Sequence, residues 1–110
     1  MIDPQTAFAA KEFLAKVSEG FCVTQALLYG SRARQTHHSE SDADIAVLLH
    51  GEKAHFLDTC LSMADIAYDI MLDTGILIQP LPIWEAEWAH PESYSNPYLL
   101  ANIKREGIRL

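Results

Sequence analysis

Two short stretches decide the fold of this chain: Leu28-Tyr29-Gly30-Ser31-Arg32-Ala33-Arg34 and, after a polar loop over residues 36–41, Asp42-Ala43-Asp44-Ile45. An apolar run over residues 23–29 leads into the first stretch, and a second run over residues 45–49 continues the other. Both runs have the length of a strand and are closed by turn residues, which predicts two buried strands. The first strand therefore ends at a Gly-Ser turn that starts a short helix, and the second strand begins with two aspartates.

The Gly-Ser turn is suited to binding phosphate. Gly30 lets a ligand approach the backbone closely, and the N–H groups at the start of a helix attract anions. The Ser31 hydroxyl can add a hydrogen bond, and Arg32 or Arg34 adds positive charge. We predict that these four residues bind a nucleotide. Surface arginines paired with acids would explain Arg32 and Arg34 equally well.

The two aspartates form a candidate metal site. Residues two apart on a strand face the same side, so Asp42 and Asp44 lie side by side and repel each other unless a cation lies between them. Mg²⁺ takes carboxylate and phosphate oxygens while keeping several waters. We therefore predict that Asp42 and Asp44 are catalytic metal ligands of a Mg²⁺–nucleotide site, at which nucleotidyl transfer is the expected reaction. The alternative is a pair of solvated acids that cap the loop.

An apolar strand, Gly-Ser, a loop and Asp-x-Asp together resemble the DNA polymerase β-like nucleotidyltransferase superfamily. The short length and the Gly30–Arg34 segment are most similar to its minimal nucleotidyltransferases. The resemblance implies an α/β (α+β) fold, with a small mixed sheet of the nucleotidyltransferase type and helices packed on it. It also implies that Gly30 and Ser31 hold the β- and γ-phosphates, and that Asp42 and Asp44 hold the metal ions.

Two positions depart from the family's pattern. Gln79 aligns with a third carboxylate, which in the family completes the metal site and helps to deprotonate the attacking hydroxyl. An amide carries no charge and is not a general base. Gln35 stands where many relatives have glycine, and we expect it to narrow the phosphate loop. The sequence leaves open whether Asp69, Asp73 or Glu85 replaces the missing acid.

The resemblance also implies a partner protein. Minimal nucleotidyltransferases are commonly encoded with a small helical protein of the HEPN type, and in some of these pairs the transferase is the antitoxin that places AMP on a tyrosine of a HEPN ribonuclease. We therefore expect a Mg²⁺-dependent enzyme that transfers AMP from ATP to a hydroxyl of its partner. The alternatives are a catalytically degenerate module that binds nucleotide or partner on the same fold, and a purely structural interaction domain.

Length and composition agree with the hypothesis of a small nucleotidyltransferase domain. The 110 residues suit one domain, spanning residues 1–110, and 49% hydrophobic residues exclude a disordered chain. The net charge of −7 argues against broad binding to nucleic acid or to an anionic membrane. No secretory signal is visible, and the two cysteines are expected to be buried thiols in a reducing compartment. We expect a cytoplasmic protein that meets its acceptor on another chain or as a homo-oligomer.

The rest of the pattern predicts the remaining elements. A helix begins at Asp3-Pro4 and ends at Gly20, and a last helix begins at Asn96-Pro97. Residues 76–83 form a strand whose prolines place its later part at an edge or outside the sheet. Between these, residues 52–73 form a long helix with an acidic stripe on one side. Its predicted apolar face consists of Phe56, Leu57, Cys60, Leu61, Ala64, Ala67 and Met71.

Overall fold

The computed structural model describes residues 2–110, in which helices and strands alternate along most of the chain. The helices are α1 (Pro4–Gly20), α2 (Ser31–Arg34), α3 (Phe56–Thr74), α4 (Glu85–Ala89) and α5 (Pro97–Glu106). The strands are β1 (Val23–Tyr29), β2 (Ala43–Leu49), β3 (Ile78–Trp84) and β4 (Ile108–Arg109), and a 3₁₀ turn spans Pro91–Ser93. Every predicted element is present. The two-residue strand β4 was not predicted, because it is too short to show a periodicity.

The strands form one mixed sheet in the order β3-β2-β1-β4. Strand β1 runs antiparallel to β2 and to β4, whereas β2 and β3 are parallel. The carboxyl end of β1 therefore lies at the same edge of the sheet as the amino ends of β2 and β3. This confirms the expected small mixed sheet with helices packed on it, and it brings the two motif stretches together.

Strand β3 lies at the edge of the sheet, as its prolines predict. Pro80 and Pro82 are two residues apart, so their nitrogens, which lack a hydrogen, point to the same side of the strand. At an edge that side needs no ladder partner, and β3 continues alongside β2 as far as the pair Leu49 and Trp84. The later part of β3 therefore stays in the sheet.

The core has two layers, one on each face of the sheet. Helices α1 and α3 cover one face, where Phe13, Val17 and Met63 pack against strand residues such as Ile45 and Val47. Helix α5 covers the other face. There the buried cluster consists of Leu27, Ala46, Leu48, Ile83, Leu100 and Ile103.

The predicted apolar face of α3 is wrong in most of its members. Leu57 and Leu61 are exposed, whereas Ala67 is buried as predicted. The residues of α3 that face the core are Thr59, Met63, Ala67 and Ile70. The helix has apolar residues on two sides, and the pattern alone does not show which side meets the sheet.

The cysteines also differ from expectation. Cys22 is exposed and Cys60 is half-buried, and neither forms a disulfide. In the part of the chain that the structure describes, no helix combines the length and the apolar character needed to cross a bilayer.

Candidate nucleotide and metal site

The predicted site residues meet at one end of the sheet because of the strand register. Tyr29 at the end of β1 is paired with Asp44 on β2, and Asp44 is paired with Gln79 on β3. Gly30 and Ser31 follow Tyr29 directly. The Gly-Ser turn, the two aspartates and the glutamine are thus neighbours in space, although up to 49 positions separate them along the sequence.

Asp42 and Asp44 lie on the face of the sheet opposite α1 and α3. Their neighbour Ala43 and the following Ile45 belong to the core cluster under those helices. Because side chains alternate along a strand, the two aspartates face the other way, toward the side covered by α5. Both side chains are only half-buried. They therefore form a pair of carboxylates that is partly withdrawn from solvent.

The electrostatics of this pair favour a cation. Burial raises the pKa of Asp44, and the nearby Asp42 carboxylate raises it further, while Arg34 opposes the shift. The raised pKa means that the negative charge on Asp44 is poorly compensated by the protein itself. A cation between the two carboxylates would relieve this, and Mg²⁺ is commonly held by one or two carboxylates together with substrate phosphates.

Gln79 lies next to the aspartates, at the position that the family resemblance predicts for the third carboxylate. Its side-chain Nε2 donates a hydrogen bond to Asp42 Oδ2 at 3.2 Å. Within residues 2–110, no group of three or more acidic, His or Cys side chains is arranged to hold a metal ion. Neither Asp69 nor Asp73, which are exposed on α3, nor Glu85, which pairs with His50, joins the aspartates. The donor set therefore consists of two carboxylates and one amide.

Glycine is required at position 30, where the backbone of the turn passes close to Asp44. Its φ is +77°, in the region that side chains disfavour, and a Cβ at this position would collide with the Oδ2 atom of Asp44 and lie 3.3 Å from its Cγ. The backbone of the turn therefore contacts the carboxylate directly. Gln35 ends α2 in the left-handed region with φ 59°, a conformation that glycine adopts more readily than other residues.

Arg32 is turned into the protein interior, with only 3% of its surface exposed. Its Nε donates to the Ser41 carbonyl oxygen at 2.9 Å, and one terminal nitrogen donates to Thr6 Oγ1 at 2.9 Å. The Thr6 hydroxyl in turn donates to Asp3 Oδ1 at 2.6 Å. Arg32 thus ties the start of α1 to the loop that delivers Asp42, and this placement favours a positioning role over contact with a nucleotide.

Sequence reasoning missed the network around Arg32, although part of its signal was visible. The Asp3-Pro4 pair predicts the start of α1, and in the structure Asp3 caps this helix by accepting the N–H of Thr6 at 3.1 Å. Burial alone would raise the pKa of Asp3, but the two hydrogen bonds from Thr6, with His37 and Arg32 nearby, lower it. The signal visible in the sequence is a threonine three residues after the cap, whereas the burial of Thr6 is apparent only in the structure.

Arg34, unlike Arg32, is exposed and lies near the site. Its guanidinium donates to Glu106 Oε2 at 3.0 Å, which links α2 to the end of α5. Such an exposed pair contributes little to stability, so a phosphate can compete with it. Tyr29, which was not predicted as a site residue, is paired with Asp44 across strands β1 and β2. Burial and the Asp44 carboxylate raise the pKa of Tyr29 to about 12, so its hydroxyl is neutral and can donate a hydrogen bond.

A sheet of this order, with a Gly-Ser turn against two aspartates at the start of the next strand, is the arrangement of a nucleotidyltransferase-type domain. The sequence profile of the family "Polymerase beta, Nucleotidyltransferase" matches residues 11–83. This match includes Gly30, Ser31, Asp42, Asp44 and Gln79, and the chain belongs to that family.

Two solved structures share the fold. A proposed nucleotidyltransferase from Sulfolobus solfataricus is 23% identical over 73% of this chain and 68% of its own, with a TM-score of 0.54. A toxin–antitoxin crystal structure with AMP-PNP is 18% identical over 88% of this chain and 68% of its own, with a TM-score of 0.59. A comparison with curated proteins gives no match.

Proposed function

We propose that this chain binds a Mg²⁺–nucleoside triphosphate at the sheet end and transfers AMP from ATP to a hydroxyl of a partner protein. The observation that carries the proposal is the convergence of Gly30, Ser31, Asp42 and Asp44 through the strand register. In biological terms, the chain would be the antitoxin of a toxin–antitoxin pair whose other member is a helical HEPN-type protein. The similarity in fold to a toxin–antitoxin structure with AMP-PNP supports this reading.

Each residue has a separate task in the proposed reaction. Gly30 and Ser31 would hold the phosphates through backbone N–H groups and the Ser31 hydroxyl. Asp42 and Asp44 would hold Mg²⁺, which when bound supplies charge stabilisation at the phosphoryl oxygens. Arg32 positions the loop before Asp42, and Arg34 offers a positive charge beside the turn.

The transfer is a substitution at the α-phosphorus of ATP. The acceptor oxygen forms a bond to that phosphorus, the bond to the bridging oxygen breaks, and pyrophosphate leaves with the electron pair. The acceptor's proton must also depart. Because the Gln79 amide is not a base, we expect this proton to pass to water, and we expect transfer to be slower than with a carboxylate at this position.

Gln79 also favours a second candidate function, a binding module without catalysis. Its amide donates to Asp42, so it occupies one carboxylate oxygen without adding negative charge. A chain of this kind would bind nucleotide or partner stably and transfer nothing.

A transfer assay with α-labelled ATP and a co-expressed HEPN-type partner separates the two functions. Under the transferase proposal the wild type labels the partner, the Asp42→Asn/Asp44→Asn variant does not, and Gln79→Glu labels it faster. Labelling only by Gln79→Glu would favour the binding module. Full labelling by the double variant would overturn the assignment of the two aspartates.

A further inference from the structure

Helix α3 carries a second apolar side that the protein does not use. Its core side is buried, whereas four large residues on the opposite side are strongly exposed: Leu57 (68%), Leu61 (58%), Tyr68 (55%) and Leu72 (65%). Together with exposed Ala64, they follow spacings of four, three, four and four residues, which places them on one face of the helix. We call this set the α3 stripe: Leu57, Leu61, Ala64, Tyr68 and Leu72.

The α3 stripe is continuous rather than scattered. From Leu57 to Leu72 it extends for about 22 Å along the helix, or roughly four turns. Single exposed apolar residues are ordinary on a protein surface, but a continuous row at helical spacing is typical of a helix that binds a partner.

A row of acids borders the stripe on one side. The members of this acidic row are Asp58, Asp65, Asp69 and Asp73, and α3 contains no lysine or arginine. Among residues 2–110, no ion pair or side-chain hydrogen bond engages any of the four. Asp65, Asp69 and Asp73 also stand four apart, which makes them mutually repulsive, and the last two lie near the negative end of the helix dipole. The helix therefore keeps a negative border that nothing within the described chain compensates.

This charge pattern selects the kind of occupant. In an antiparallel symmetric contact between two copies of the chain, like borders of the two helices meet, so the acidic row would approach its own copy. Each copy would also bring a net charge of −7. A partner with an apolar helix face bordered by lysine or arginine would instead match both the stripe and the acids.

We propose that the α3 stripe and its acidic row form a docking surface for an amphipathic, basic-bordered helix of a different protein. The surface lies behind the sheet as seen from the aspartates. Met63, Ala67 and Ile70 of α3 pack in the same cluster as Ile45, on the face opposite Asp42 and Asp44. Docking therefore leaves the sheet end open and does not depend on the nucleotide site.

A designed peptide tests the proposal directly. The probe is a helical peptide of about 18 residues with leucines at the same spacing and lysines along both borders. The matched control peptide has glutamates in place of the lysines. Fluorescence anisotropy at low and high salt measures the affinity. Changes in the amide chemical shifts of the ¹⁵N-labelled chain, recorded by NMR, locate the binding site. We expect the basic peptide to bind at least about tenfold tighter than the acidic one, with the shifts concentrated on residues 57–72.

Three variants of the chain sharpen the test. Leu61→Ser/Tyr68→Ser should weaken binding of the basic peptide about tenfold or more, while Tyr98→Ser, at an exposed tyrosine on α5, should leave it unchanged. Asp65→Asn/Asp69→Asn should remove most of the salt dependence. Asp42→Asn/Asp44→Asn should bind the peptide like the wild type, so a failure of the nucleotide site would not affect this result.

Several outcomes would overturn the proposal. These are equal binding of the two peptides, binding that survives Leu61→Ser/Tyr68→Ser, and chemical shifts that map away from α3. A fourth is sedimentation that shows the chain alone as a dimer which Leu61→Ser/Tyr68→Ser dissociates, because the occupant would then be a second copy. A melting temperature within a few degrees of the wild type shows that each variant remains folded.

Discussion

Two regions of the molecule differ in how well their sequences predict which residues they contact: the end of the sheet that carries Gly30, Asp42 and Asp44, and helix α3. At the sheet end, strand alternation leaves one solution. Once β1 and β2 pair, the two aspartates must share a face and lie against the Gly-Ser turn. Helix α3 has apolar residues on two sides, so its sequence permits two orientations. Short-period motifs on paired strands thus predict neighbours, whereas an amphipathic pattern predicts only that some face is buried.

The largest expected effect concerns the two sides of α3. Met63 is fully buried, so Met63→Ala should lower the free energy of unfolding by about 2–5 kcal/mol through lost burial and a cavity. Leu61→Ala on the stripe should change it by about 0.5 kcal/mol or less. Because both variants place alanine in the same helix, helix propensity cannot explain the difference. Urea unfolding measures both values, and equal losses would mean that the core side of α3 has been misassigned.

Much of the fold followed from the sequence, including the long helices, the three longer strands and the edge position of β3. The shared face of Asp42 and Asp44 followed from strand alternation and the position of Gln79 beside them from the family resemblance, whereas the strand register is known only from the structure. The network of Asp3, Thr6 and Arg32 could not be predicted, because it joins parts of the chain that only tertiary packing brings together. The core side of α3 was likewise decided by packing on the sheet rather than by any local preference.

The two arginines of α2 offer a second contrast. Arg32→Met should cost about 2–3 kcal/mol, because the buried Thr6 hydroxyl and the half-buried Ser41 carbonyl would lose their donor. Arg34→Met removes a pair in which the arginine side chain is 48% exposed and should cost about 0–1 kcal/mol. Chemical denaturation of both variants gives the comparison. If Arg34→Met were the more damaging change, the positioning role of Arg32 would be untenable.

The glycines of the molecule separate backbone strain from contact with the site. Gly30 and Gly75 have φ values of +77° and +79°, but only a Cβ at position 30 meets another group, the Asp44 carboxylate. Gly75→Ala should therefore cost about 1–2 kcal/mol through backbone strain alone, and Gly30→Ala should cost more because its Cβ also collides with the Asp44 carboxylate. Only Gly30→Ala should also displace Asp44 and abolish stabilisation by Mg²⁺–ATP. A Gly30→Ala variant that kept this stabilisation would show that the close approach is unimportant.

The smallest expected effect is the pH dependence contributed by Asp44. Its pKa is raised above the ordinary 3.8 by burial and by Asp42, so the folded protein holds this proton more tightly than the unfolded chain does. Stability from this group is therefore lost as the pH rises from about 3.8 through the raised pKa, and the loss is complete above it. Without metal, Asp44→Asn should slightly raise the melting temperature at pH 7. The gain in melting temperature should disappear at pH values below 3.8, and thermal melts of both proteins across this pH range measure it. A gain of the same size at every pH would contradict the assignment to Asp44.

The most direct test of the account is a thermal melt of the wild type with ATP, with and without Mg²⁺, beside the same melts of Asp42→Asn/Asp44→Asn. A ligand at about 100 times its dissociation constant stabilises the folded state by about 2.7 kcal/mol, which a domain of this size shows clearly. We predict a Mg²⁺-dependent rise in melting temperature for the wild type and none for the double variant. No rise in the wild type, or the same rise in both proteins, would contradict the claim that the two aspartates and the Gly-Ser turn form a nucleotide site.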